Sequence, residues 1–251
     1  MAGRTFAIGD IHGEMDHLLT VMSRLPRLDI EDTLVFLGDY IDRGPSSKQV
    51  VDYLRRLPRM VRAKVVTLRG NHEDAWLHVR KDPWPDFLRP PAHGCLAAYR
   101  SFVGKPHPEQ GEMASADEQE EFESGKFFPA DIVDWMNALP YWYEDDHALY
   151  VHAGLPKLPG GGFAHPSQLP HPPTAVLWLR DDDFFRNYRG KRVVFGHTRT
   201  EYLPEELSGY TPEDPKDLWS YENVLGIDTG CGNGGFLTAV ELPELLVYES
   251  R

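Results

Sequence analysis

Cysteine is nearly absent: the 251 residues hold only Cys95 and Cys231, far apart and in no CxxC pair. That excludes a disulfide framework and a thiolate zinc site as organising devices, and it fits a reducing compartment. No apolar run approaches the length of a membrane span, and residues 1–10 lack the apolar stretch of a secretory leader. The expectation is a soluble, cytoplasmic protein with no membrane partner. Positive charge is in deficit too. Against 26 Lys and Arg stand 39 Asp and Glu, a formal net charge of -13. A surface that acidic repels a phosphate backbone, which disfavours nucleic acid as a partner. A small phosphorylated ligand stays open, because it responds to the local field of its site. With 41% hydrophobic residues the chain can bury a large core, and nothing in it reads as a linker. A single domain over residues 1–251 is expected.

What is present is a rhythm of apolar strand, polar loop and amphipathic helix. Thr5-Phe6-Ala7-Ile8 reads as a strand ending in Gly9-Asp10-Ile11-His12-Gly13. On extended backbone Asp10 and His12 point the same way, so one strand end offers a carboxylate and an imidazole together. A helix follows with Met15, Leu18, Leu19, Met22 and Leu25 on its core face and His17 at the surface. The run 32–37 reads as a second strand and leads into Gly38-Asp39-Tyr40-Ile41-Asp42-Arg43-Gly44. Glycines bracketing an Asp-x-x-Asp-Arg suit backbone that bends sharply or approaches a ligand. Ser46 and Gln49 have capping-box spacing for the next helix, which carries Val50, Val51, Leu54 and Leu57. Residues 63–68 make a third strand before Arg69-Gly70-Asn71-His72-Glu73-Asp74. Three repeats imply a mainly parallel sheet, with ligand-type residues at its carboxyl edge.

Residues 81–130 break the rhythm. Seven prolines divide them, residues 117–123 are strongly acidic, and short helices fit 96–102 and 132–139. The acidic run reads as a solvated face or a loop. Trp84, Phe87, Tyr99, Phe102, Phe127 and Phe128 suit either a cap over the site or a small satellite core. The segment as a whole is expected to be a helical and loop cap insertion. Downstream, residues 148–151 form a strand ending in His152-Ala153-Gly154. A Pro- and Gly-rich loop with solvent-facing His165 and His171 follows. A further strand then ends in Gly196-His197-Thr198, and antiparallel strands at 236–242 and 245–248 close the chain.

Asp10, His12, Asp39, Asn71, His152 and His197 all fall at strand ends. Carboxylate, imidazole and amide together suit Mn²⁺, Fe²⁺ or Zn²⁺ better than Mg²⁺ or Ca²⁺. Six ligands with so few carboxylates fit two ions sharing one carboxylate better than one saturated ion. The motifs at 9–13, 38–44, 70–73, 152–154 and 196–198 resemble, in order, those of the phosphoprotein phosphatases, within the calcineurin-like metallophosphoesterases. The resemblance spans residues 9–198. It implies an α/β fold with a central β-sandwich of mixed sheets flanked by helices and a site at strand carboxyl ends.

By the same resemblance, Asp10, His12 and Asp39 hold a first divalent ion. Asp39 bridges to a second ion, which Asn71, His152 and His197 complete, and Mn²⁺ is the expected metal. A water bridging the two ions attacks phosphorus. Arg43, with Asn71 and Arg180, binds the phosphate, and His72, partnered by Asp42, protonates the leaving oxygen. The implied substrate is a phosphorylated protein or small phosphomonoester. Symmetrical diadenosine tetraphosphate hydrolysis is the alternative. Asp42 and Glu73 favour the phosphatase, because the tetraphosphatase pattern has Ala and Asp there. The motifs at 227–231 and 234–238 suit both groups. A metal-holding interaction module without activity is a third reading, weakened by the intact Arg43 and His72.

Overall fold

The computed structural model describes residues 3–209, 214 and 216–251. Its strands form two five-stranded sheets. The first contains β1 (Thr5–Ile8), β2 (Thr33–Phe36), β3 (Lys64–Thr67), β9 (Thr238–Leu242) and β10 (Leu246–Glu249), in the order β10-β9-β1-β2-β3. The second contains β4 (Trp142–Glu144), β5 (Leu149–Val151), β6 (Val193–Phe195), β7 (Trp219–Tyr221) and β8 (Val224–Gly226), in the order β4-β5-β6-β8-β7. Parallel pairing runs through β1, β2 and β3 in register, Ile8 opposite Phe36 and Phe36 opposite Thr67. In the second sheet β5, β6 and β8 are parallel. The outer strands β9, β10, β4 and β7 pair antiparallel, so both sheets are mixed and the parallel rhythm covers only their centres.

The sheets pack face to face through Ala7, Val35 and Leu68 on one side and Tyr150, Val194 and Ile227 on the other. Helices cover the outer faces, which is why the parallel strands β1, β2, β5, β6 and β8 are buried on both sides rather than alternating, while edge strand β3 is part-exposed. On the first sheet these include α1 (Met15–Arg24), α2 (Ser47–Arg56) and α3 (Asn71–Val79). In α1, Leu18 and Val21 are buried, but Leu19 is 44% exposed and lies off the core face, contrary to the sequence pattern. Helix α2 starts after Ser46, whose side chain makes no cap bond. The hydroxyl used is that of Ser47, which accepts the Asp42 N–H at 3.0 Å. The expected capping box therefore gives way to a bond that holds the ligand-bearing loop.

The stretch 81–130 holds α4 (Pro85–Leu88), α5 (Cys95–Val103) and α6 (Ala116–Ser124), and α7 (Ala130–Ala138) follows. The acidic run is helix α6 rather than a loop, and Asp117, Glu120 and Glu121 form the solvated face that was the other expectation. Its Glu118 is buried and pairs with Arg100 and Lys105, both at 3.1 Å. Half of the aromatic set packs around Trp76 of α3, whose ring centroid lies 5.1 Å from Phe127, 5.3 Å from Phe128 and 6.2 Å from Phe87. These rings extend the main core, while Phe87 alone also reaches a site residue, with its centroid 5.5 Å from that of His72. Short helices α8 (Ala175–Trp178) and α9 (Asp182–Asn187) back the second sheet. His165 is half-buried against Trp142 and Glu144 rather than solvent-facing, whereas His171 is exposed.

Candidate metal centre

The loops leaving β1, β2 and β3 are tied to one another before any side chain is considered. The amides of Ile11 and His12 both donate to the Asp39 carbonyl, at 3.0 and 2.8 Å, and Gly44 N–H donates to the His12 carbonyl at 2.8 Å. The Glu73 carboxylate, fully buried, accepts the amides of Asp39 at 3.0 Å, Tyr40 at 2.8 Å and Gly70 at 3.0 Å. Burial and the neighbouring charge of Asp39 push its pKa up to about 7. The second sheet joins through His197 N–H, which donates to Asp10 Oδ2 at 3.0 Å, and through His152, whose Nδ1 lies 2.9 Å from the Leu37 carbonyl.

Five non-glycine residues here have left-handed backbone: His12 (φ 48°), Asp39 (53°), Asp42 (72°), Arg43 (64°) and His197 (64°). Each costs energy that the surrounding bonds must offset, and such residues gather where a site demands a geometry. His12 therefore does not share a straight strand with Asp10; the chain turns after Ile8 and brings its imidazole round. Gly196 shows how tight the packing is, since a β-carbon there would overlap Asp10 Oδ1.

The imidazoles are arranged for a cation. Burial holds His12, His152 and His197 below their ordinary pKa values, so they are neutral. His12 places Nδ1 3.0 Å from the Ile41 carbonyl, as His152 does with Leu37. Nδ1–H donates in each case, which leaves a lone pair on Nε2. Those lone pairs face the Asp39 carboxylate, Nε2 of His12 at 3.4 Å and Nε2 of His152 at 3.4 Å. Electron pairs facing a carboxylate in a buried site repel unless a positive ion lies among them. Asp10 Oδ1, His12 Nε2 and His197 Nε2 are buried with no hydrogen-bond partner. The Asn71 Oδ1 atom lies 2.9 Å from His152 Nε2 and 2.8 Å from His197 Nδ1. This donor set fits divalent metal.

Two clusters emerge with ligand atoms within 4.8 Å of one another: His12, Asp39 and His72, and Asp39, His152 and His197. Asp39 is common to both. Burial alone would raise its pKa, but the positive charge that the surrounding imidazoles carry when protonated, His72 most readily, and the bond from the His72 amide outweigh that and hold the carboxyl well below the usual range. Asp10 falls outside both clusters, and its pKa is driven up by burial and by the charges of Asp228 and Asp39.

His72 differs from the other imidazoles. Its Nδ1 lies 2.6 Å from Asp42 Oδ2, and Trp76 Nε1–H donates to Asp42 Oδ1 at 2.9 Å. Burial would lower the His72 pKa, but the charge of Asp39 and the Asp42 bond prevail and raise it. Asp42 makes no salt bridge to Arg43. The Arg43 side chain is half-buried, and its Nε has no hydrogen-bond partner. Arg180 is exposed and reaches the site, where Nη2 donates to the His197 carbonyl at 3.4 Å. The ring centroid of Trp178 lies 6.4 Å from that of His197 and 5.7 Å from that of Trp84.

The pattern that defines calcineurin-like phosphoesterases matches residues 3–229 of this chain. The chain belongs to that family. Calcineurin-like phosphoesterases use divalent metals, in keeping with the donor set above. A symmetrical bis(5'-nucleosyl)-tetraphosphatase of Janthinobacterium sp. (strain Marseille) is 26% identical, over 96% of this chain and 93% of the relative. The asymmetrical bis(5'-nucleosyl)-tetraphosphatase PrpE of Anoxybacillus flavithermus (strain DSM 21510 / WK1) is 27% identical, over 95% and 90%. A solved structure described as a candidate diadenosine tetraphosphatase superposes with a TM-score of 0.61 at 23% identity, covering 99% of this chain and 93% of the other. That last likeness speaks for the fold.

In this calcineurin-like phosphoesterase the residues singled out in the sequence meet at one edge of the two sheets. Three further residues were not read as site residues. Glu73 ties three loop amides, Trp76 fixes Asp42, and the charge of buried Asp228 bears on Asp10. Glu73 left a signal, as an acid one residue beyond His72 at a helix start, and Asp228 lies in the 227–231 motif, whereas Trp76 left none. Among the described residues no helix is long and apolar enough to cross a membrane.

Proposed function

We propose that this phosphoesterase hydrolyses a phosphoanhydride bond of a dinucleoside polyphosphate, with diadenosine tetraphosphate as the test substrate. The observation that carries it is the likeness, over nearly the whole length of both chains, to two bis(5'-nucleosyl)-tetraphosphatases, one symmetrical and one asymmetrical. Two divalent ions, most simply Mn²⁺ with Fe²⁺ or Zn²⁺ as alternatives, would be held by Asp10, His12 and Asp39 and by Asp39, Asn71, His152 and His197. They would supply Lewis-acid polarisation and a water-derived nucleophile at neutral pH. Arg43 offers paired N–H donors to phosphoryl oxygens, and Arg180 and Asn71 assist from the other side. His72 presents a proton to the leaving oxygen while Asp42 fixes its ring.

A second reading is favoured by one observation, the buried His72–Asp42 pair at 2.6 Å. A nucleoside polyphosphate is a weak base and departs with little help, whereas a serine or threonine alkoxide needs a proton. A built acid therefore speaks for phosphomonoester hydrolysis of the protein phosphatase kind. Comparing kcat/KM on the Mn²⁺-loaded chain separates the two. Diadenosine tetraphosphate is expected to exceed phosphoserine, phosphothreonine and phosphotyrosine peptides and p-nitrophenyl phosphate. The reverse order hands the site to the second reading. No turnover on any of them, with two metals bound, leaves an interaction module.

A further inference from the structure

A cavity of about 820 Å³ lies beside the metal centre, within the range of small-molecule sites. Its walls come from the 88–97 segment, the 107–114 loop and α6, and its inner end is Arg43 with Gly232. Three lining residues also touch the site. Arg43 N–H donates to the Gly94 carbonyl at 3.1 Å, and the Arg43 charge bears on Asp10, His12 and His72. Cys95 Sγ lies 3.9 Å from Asp42 Oδ2. A β-carbon on Gly232 would fall 2.6 Å from His12 Cβ. Cavity and metal centre thus share a wall, and that wall carries the phosphate-clamp arginine.

The charge layout says what fits. Arg43 has no carboxylate within ion-pair distance among the described residues, whereas the other lining arginine, Arg89, already pairs with Glu123 at 3.2 Å. Farther out, Glu123 is paired with Arg89 and Glu112 with Arg100 at 2.5 Å, so with Glu109 this end offers a phosphate no free cation among the described residues, while its carboxylate oxygens can accept hydrogen bonds from sugar hydroxyls. Between these ends Leu88, Pro91 and Leu96 form an apolar wall, and Met113, also lining the cavity, is 53% exposed. An exposed thioether in a concave site suits a flat heterocycle.

We propose that this cavity is a nucleoside subsite: it receives the ribose and base of one half of a nucleoside polyphosphate whose phosphate chain passes Arg43 to the metal centre. The proposal rests on the dinucleoside polyphosphate reading and names where that substrate's selectivity is set. The 107–114 loop, through Met113, is then a specificity device of this chain.

The test uses the Mn²⁺-loaded full chain and two probes that differ only in the nucleoside, ADP and methyl diphosphate, titrated by NMR or calorimetry. ADP is expected to bind at least tenfold tighter. Ala92→Trp fills the cavity from an exposed rim position, and Met113→Asp removes the apolar surface; each should shrink that advantage to threefold or less. Their kcat/KM for diadenosine tetraphosphate should fall by more than that for p-nitrophenyl phosphate. Equal binding of the two probes, or an ADP advantage unmoved by both variants, overturns the subsite. The outcomes separate from the functional reading. If the dinucleotide is not hydrolysed but the ADP advantage exists and both variants erase it, the subsite stands and the activity assignment falls. If the dinucleotide is hydrolysed and both variants leave its kcat/KM intact, the subsite falls and the activity stands.

Discussion

His72 and Asp39 sit 3.8 Å apart, yet they are proposed to do different jobs, and substitution can separate them. His72→Asn removes a proton donor and spares the proposed ligands. On an alkyl phosphate, whose leaving group is a strong base, the rate should drop by about 10²–10⁴, the usual general-acid contribution. On diadenosine tetraphosphate or an aryl phosphate the loss should be much smaller. Asp39→Asn removes the carboxylate common to both clusters, so metal content and all substrates should suffer alike. Metal analysis beside steady-state rates checks the pair. Equal losses on alkyl and aryl esters for His72→Asn, with metal retained, would show that His72 is no general acid. Glu73 offers a third test. Glu73→Gln turns one of its acceptor atoms into a donor facing loop amides, so stability should fall by roughly 1–3 kcal/mol in thermal unfolding; an unchanged Tm would mean the three amides find other partners.

At the level of elements, α6 shows how an acidic run becomes structure. Arg100 above all, with the Ser115 and Lys105 bonds, outweighs burial and holds Glu118 down to about 2. A carboxylate with a depressed folded pKa stabilises above its unfolded value, and that contribution disappears as pH falls through the folded one. The packing of α5 on α6 should therefore weaken between about pH 4.5 and 2. Glu118→Gln should already lack this contribution at neutral pH and lose less on acidification. Circular dichroism of both chains over that range measures it, and parallel acid curves would refute it. The same helix marks a limit of sequence reading. Seven residues rich in Asp and Glu look solvated until Arg100, remote in pattern, is seen against one of them. The three βα loops are readable because a Gly followed by Asp or Asn recurs at each strand end. The left-handed turn at His12 is not, since it depends on the Asp39 carbonyl taking two amides from another loop. Strands β4 and β7, three residues each, carry Glu144 and Ser220 and were not read; they exist because a neighbouring strand offers an edge.

For the whole molecule, the proposed centre would draw Asp10, His12 and Asp39 from loops of the first sheet, Asn71 from the start of α3, and His152 and His197 from loops of the second sheet. Bound ions would then clamp the sheets together, and at a hundredfold excess over Kd a single site adds about 2.7 kcal/mol. Chelation should lower Tm in one cooperative step. A melting point blind to Mn²⁺ and chelator would speak against ligands from both sheets. The first sheet carries a second long-range dependence, because the edge of β1 not taken by β2 pairs only with β9, Ile8 opposite Ala239 and Thr5 opposite Leu242. On a ribosome making 5–20 residues per second, that partner arrives roughly 10–50 s after β1. For that interval Phe6, Ala7 and Ile8, all fully buried in the finished protein, border an open strand edge. A nascent chain of this kind needs shelter in proportion to the delay. A chain stopped after residue 235 makes the interval permanent, and it should collect in the insoluble fraction while the full chain remains in solution.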